Sequence, residues 1–155
     1  MENIQSKADF LRLEYTHKLK QLDPDTKPLW GKMNVRQMIE HMGDYVRIAN
    51  GKDTVRLITA EENLSRMQAF LESEKPFREN TPNPMLPDTP PAPKMEVEKA
   101  IERLQQELDD FFEICGKEPA KKIMNPFFGE LDFEHNVQLL HKHGTHHLRQ
   151  FGVNV

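Results

Sequence analysis

Apolar residues recur at intervals of three and four through the first part of the chain: Ile4, Ala8, Leu11, Tyr15 and Leu19, with Phe10 and Leu13 widening the stripe. That period predicts one amphipathic helix over residues 4–21. The prolines and aspartates of Leu22 to Pro28 predict its end in a chain reversal. Next comes a second stripe, in which Met38, His41, Met42, Tyr45 and Ala49 share a face. Asn34 with Gln37 three residues later makes a capping box at its start, and Gly51 is a C-terminal stop. Residues 60–74 favour a shorter helix with Leu64, Met67 and Leu71 on one side.

The pattern then breaks. Seven of the eleven prolines lie between Pro76 and Pro93, a density that no regular helix or interior strand survives. The stretch is expected to run extended across the surface, the alternative being a disordered linker. Beyond it Val97, Ile101, Leu104, Leu108, Phe111 and Cys115 step by four and three, predicting a long helix over 95–115 that Gly116 and Pro119 end. Residues 122–131, Lys-Ile-Met-Asn-Pro-Phe-Phe-Gly-Glu-Leu, read as an apolar loop or short helix. From Asp132 as N-cap, a last helix places Phe133, Val137, Leu140, Gly144, His147 and Phe151 on one face.

Four substantial amphipathic helices and no convincing strand predict an all-α four-helix bundle, formed by a single domain spanning 1–155, with the proline-rich segment 76–93 between the second and third main helices. That long excursion also permits a crossover connection.

Composition narrows the function classes. The formal net charge of −4 comes without a basic block or stripe, which argues against nucleic acid as a partner. No apolar run reaches membrane-spanning length and the first residues lack the apolar stretch of a secretory signal, so a cytoplasmic protein is expected. The lone Cys115 agrees with a reducing compartment and falls on a packing stripe.

The histidines are the chemical anomaly. Four of the chain's seven fall within residues 141–147. On a helix, His143 and His147 project from one face a turn apart, whereas His146 lies about 100° around from His147 and His141 about 160° from His143. His41 stands on another core-facing stripe, so three imidazoles can converge in a bundle core, a common place for metal sites. The alternative is three separately hydrogen-bonded core histidines. His17 reads as a rim residue, His135 and His141 as solvated, and the charges of Glu40 and Asp44 as solvated too. Gly43 and Gly144 sit inside predicted helices, where each costs about 1 kcal/mol relative to alanine. Close helix approach around an ion is one explanation, and a kink or simple tolerance the other.

The segments Trp30 to Tyr45 (WGKMNVRQMIEHMGDY) and Asn125 to Gly152 (NPFFGELDFEHNVQLLHKHGTHHLRQFG) together resemble the DinB/YfiT-like superfamily of metal-binding four-helix proteins, and a branch of it known only as a domain of unknown function. The shared pattern is a tryptophan, Q-M-x-x-H on the second helix, a P-F-F-G turn and H-x-x-H-H-x-x-Q-F-G on the last helix. The resemblance covers nearly the whole chain and implies a histidine triad of His41, His143 and His147. It places His146 at a position that is not a ligand in the family, leaving a supporting or interfacial role. Asn125 stands where many relatives have a histidine before P-F-F-G.

The resemblance also implies a divalent metal cofactor, and members with known activity use the metal to activate a low-molecular-weight thiol for transfer or isomerisation; imidazole donors suit zinc, nickel, copper and iron alike, and zinc or nickel is expected. The expected function is therefore a metal-dependent thiol S-transferase or hydrolase acting on a small molecule. Tyr45, His146 and Gln150 are the expected supporting or pocket residues. The alternative is a non-catalytic bundle with a structural or vestigial metal site, serving as a homodimeric interaction module.

Overall fold

The computed structural model describes residues 1–80 and 89–155. Its elements are α1 (Ile4–Asp9), α2 (Tyr15–Gln21), α3 (Val35–Ala49), α4 (Glu61–Glu72), α5 (Val97–Lys117), an antiparallel pair β1 (Ile123–Asn125) and β2 (Gly129–Leu131), and α6 (Phe133–Gln150). The chain is mostly helical, in accord with the periodicity. No helix among the described residues is long and apolar enough to cross a membrane.

The first predicted helix is not continuous. Phe10–Glu14 forms a π-helical turn between α1 and α2, a wider coil that resets the phase of the apolar stripe. Leu11 within it and Tyr15 just after it are buried, while Leu13, expected in the stripe, is 70% exposed. Tyr15 lies flat against α6, where a Cβ on Gly144 would come within 3.1 Å of its Cζ. Gly43 similarly makes room for the Arg103 guanidinium of α5, which reaches Asp44 at 2.7 Å. Both helical glycines thus admit a large side chain from a neighbouring helix, and neither an ion nor a kink is needed to account for them.

The Tyr15 hydroxyl is buried without a hydrogen-bond partner among the described residues, and burial pushes its phenol well above the ordinary range. An orphaned buried hydroxyl costs roughly 1–3 kcal/mol. Tyr15→Phe is therefore expected to raise stability by about 1 kcal/mol in urea unfolding. A loss of stability instead would show that the hydroxyl has a partner in solution.

The caps agree with the sequence. Asn34 Oδ1 accepts from the Gln37 N–H and Asn34 N–H donates to Gln37 Oε1, both at 2.8 Å, completing the predicted capping box of α3. Asp132 Oδ1 accepts the His135 N–H at 3.0 Å and starts α6. The main core joins α1, α2, α3, α5 and α6 through Leu11, Tyr15, Met38, Met42, Leu104, Leu108, Phe111, Val137 and Leu148.

Residues 122–131, expected as a loop or short helix, instead contain the β1–β2 hairpin. Asn125 pairs with Gly129 across a three-residue loop, and Gly129 takes φ +80°, the left-handed position that closes such hairpins. Asn125 Oδ1 accepts the N–H groups of Phe127 and Phe128, so its side chain builds the turn. Three-residue strands are too short to leave a period-two signal. The hairpin helps form a second apolar cluster, with Leu71, Phe128, Leu131 and Leu139 at its centre and Phe77 against it.

Of the proline-rich segment, 81–88 lie outside the described residues. The chain from Pro91 to Met95 is held on α3 by three of that helix's side chains: Arg36 donates to the Met95 carbonyl, Gln37 to the Pro91 carbonyl, and Glu40 accepts the Lys94 N–H. The chain from Phe70 to Lys75 is fixed from α6. Lys142 donates to the carbonyls of Phe70, Ser73 and Lys75, and Gln138 to those of Leu71 and Ser73, so α6 supplies the donors that the end of α4 needs. Lys7 adds an ion pair to Glu74, which holds that carboxyl down at about 2. This anchoring carries Phe77 to the face of α6 that bears the histidines.

Candidate metal centre

The face of α3 that turns inward brings His41 opposite α6, and His143 and His147, one turn apart on α6, meet it. His41 Nε2 lies 3.1 Å from His143 Nε2, and His147 Nε2 lies 2.9 Å from the same atom. One ring nitrogen from each residue falls within 4.8 Å of both others. Ligand nitrogens held at tetrahedral angles around zinc, each about 2.0–2.1 Å from it, stand about 3.3 Å apart, a few tenths of an ångström from these separations.

The protonation chemistry also suits a cation. In the absence of an ion, His143 Nε2 must divide one ring hydrogen between two acceptors, receive two N–H groups on one lone pair, or face a lone pair of a neighbour, because it touches both neighbours. A cation meets all three lone pairs at once. Burial pushes the His41 ring down to about 4, against the opposing effect of Asp44. Burial first, and the neighbouring histidines second, push His143 and His147 well below the usual range. All three rings are therefore neutral near pH 7 and their lone pairs are available. No further histidine, cysteine, aspartate or glutamate among the described residues joins the group.

Aromatic rings surround the half-buried His143. Tyr45 packs on both His41 and His143, with centroids 4.7 and 4.9 Å away. Phe77 meets His143 and His146 edge-on. His146 stands outside the triad, its ring between Trp30 at 5.5 Å, Phe77 at 5.7 Å and His147 at 5.2 Å. Gln150 is buried behind the triad, its Oε1 2.7 Å from His147 Nδ1. Tyr45, His146 and Gln150 thus all stand beside His41, His143 and His147.

A cavity of about 370 Å³ touches the triad through His41. Its walls are Met33 and Met95 with Pro90, Pro91 and Ala92, and its polar rim is Glu40, Asp44, Lys94 and Arg103. Gln37 and Glu40, two of the α3 residues that hold the segment around Lys94, also line this cavity. Asp44 is exposed, as expected, and also pairs with Arg103, whereas Glu40 is half-buried and secures the cavity wall.

The remaining histidines do not join the site. His17 is exposed beside Gln21. His135 and His141, expected in solvent, are half-buried: His135 bridges Asp132 and Glu72, and His141 meets Phe10 edge-on. Asn125 is occupied in the hairpin turn. Two contributors left no sequence signal. One is the main-chain carbonyl of Trp30, which receives the Gln150 amide at 2.9 Å. The other is Phe77, whose place depends on side chains of α6 and the hairpin that are distant in sequence.

A family model described as the DinB superfamily matches residues 13–151. No curated protein and no solved structure is matched.

Proposed function

The chain belongs to the DinB superfamily, and from that premise we propose that it is a divalent-metal-dependent enzyme acting on a small molecule, with His41, His143 and His147 holding the ion. The observation that carries this reading is the meeting of three buried or half-buried imidazole nitrogens from two helices around one point. We read the helices as a four-helix bundle made of the α1–α2 rod, α3, α5 and α6, with α4 as an added element and the site between α3 and α6.

When bound, a zinc or nickel ion supplies Lewis-acid chemistry that brings water or a thiol into its nucleophilic form near neutral pH. The chain's own contribution is a neutral donor set, which leaves the charge of the ion uncompensated. With three protein donors among the described residues, a position remains for an exchangeable ligand. Tyr45 and Phe77 limit water around His143, and the cavity beside His41 is large enough for a small electrophile. Thiol transfer and hydrolysis both fit this arrangement, and the thiol would be a co-substrate.

The test uses cobalt as a spectroscopic substitute. Purified protein is expected to bind one equivalent of Co²⁺, and a small thiol added to it is expected to produce a thiolate-to-cobalt charge-transfer band. Stoichiometric binding with no response to thiols or other small ligands would favour a structural ion. Absence of binding would remove the reading altogether.

A further inference from the structure

We infer that Gln150 is a positioning residue that holds His147 in the tautomer with its proton on Nδ1, and that the Trp30–Gly31 loop sets the direction of this hold. The inference rests on the metal-site reading for its consequence, but its geometry is independent of any ion. Gln150 is 3% exposed and its amide makes two contacts: Nε2 lies 2.9 Å from the Trp30 carbonyl and Oε1 lies 2.7 Å from His147 Nδ1. A main-chain carbonyl only accepts hydrogen bonds, so the amide must turn its NH₂ toward Trp30. Its oxygen, also only an acceptor, then faces His147. Nδ1 must therefore carry the ring hydrogen, and the lone pair of the neutral ring is left on Nε2, the atom that meets His143.

The reverse orientation of the amide would set two oxygens against each other at Trp30 and leave the ring proton on Nε2, where it would block a cation. The loop is built to prevent this. The Leu29 N–H donates to the Gln150 main-chain carbonyl at 2.7 Å, which fixes the loop beside the amide. Gly31 has φ +79°, and a Cβ there would lie 2.8 Å from Gln150 Nε2. Glycine is thus required at 31 both by the backbone and by the amide that sits against it. Partners of this type orient a ligating histidine and raise its basicity.

Two variants separate this role from simple packing. Gln150→Leu keeps the bulk but accepts no hydrogen bond, and its Zn²⁺ affinity, measured by competition with a chromophoric chelator, is expected to fall roughly 10–100-fold. Gln150→Glu still accepts from Nδ1–H but cannot donate to Trp30, so zinc affinity is expected to stay close to that of the unmodified protein. Its tryptophan emission should shift, and Trp30 is the only tryptophan. If the two variants lose affinity together, in step with lost thermal stability, Gln150 is only a packing residue and the inference fails. It fails equally if the leucine variant binds zinc normally. Imidazole ¹⁵N NMR of the unmodified protein tests the tautomer directly should the leucine variant not fold: a protonated His147 Nδ1 is expected with or without zinc, and an unprotonated one overturns the inference. Zinc-free protein with that tautomer and no affinity for zinc would sink the metal-site reading and leave the Gln150 contact standing.

Discussion

Replacing His41 with alanine is expected to abolish stoichiometric zinc binding while leaving the helical fold in place. Three-histidine binding divides the affinity among few donors. With about 10–16 kcal/mol typical of a four-ligand structural zinc site, each ligand accounts for roughly 3 kcal/mol, or more than a hundredfold in affinity. The remaining pair, His143 and His147, lies on one helix and can still touch an ion, but only weakly. The fold is expected to survive because the His41 ring is neutral, its polar contact is to His143 of the same triad, and it borders the cavity, so its loss strands no charge in the core. Equilibrium dialysis with zinc, alongside circular dichroism of the metal-free variant, measures both halves. Unchanged zinc stoichiometry and affinity in His41→Ala would remove α3 from the site.

The second large effect is on stability, at a position remote from the histidines. Glu107 of α5 is 5% exposed and joins Arg47 at 2.9 Å, Lys52 at 2.6 Å and Asn50 at 3.1 Å, all from α3 or the turn after it. Glu107→Ala leaves these donors facing a void, although Arg47 and Lys52 keep Asp53 and Asp110 as partners. The expected loss is about 2–3 kcal/mol, below the roughly 3–5 kcal/mol of a fully buried broken pair because the two cations remain partly in water. For a chain of this length that corresponds to roughly 5–10 °C in Tm.

The same contact gives a pH dependence. Burial alone pushes the Glu107 carboxyl up, but hydrogen bonds from Lys52, Arg47 and Asn50 outweigh it and hold the folded-state value below that of a free glutamate. A lowered folded value means that the contribution is present above the unfolded carboxyl range and fades as pH falls through the lowered value. The stability gap between the native protein and Glu107→Ala should therefore narrow in acid, as chemical unfolding at several pH values would measure. A gap independent of pH would assign the loss to packing alone.

Much of the architecture was legible in the chain because helices carry their own period. The stripe of α5, the capping box of α3 and the N-cap of α6 are local features, and each appears where spacing places it. The elements that differ are those with no periodic signature. The π-helical turn at Phe10–Glu14 looks like ordinary helix in sequence, since Tyr15 must meet Gly144 before the wider coil has a reason to exist. The hairpin is too short for alternation to register, and its turn is recognisable only once Asn125 is seen receiving two N–H groups.

The candidate centre divides along the same line. His143 and His147 are four residues apart, so helix geometry alone sets them on a common face. His41 is 102 residues from His143, and its stripe predicts burial without saying which helix it meets; the resemblance to the family supplied that link. The Gln150 contact to Trp30, the approach of Phe77 and the cavity wall held by Gln37 and Glu40 join positions 54 to 120 residues apart. Sequence by itself determined which residues are apolar, where most helices start, and which imidazoles share a turn, because those depend on covalent spacing. Only the tertiary structure decided the partners of His147, the rings around His143 and the shape of the cavity, because hydrogen-bond partners and enclosed volume exist only when distant segments are packed against one another.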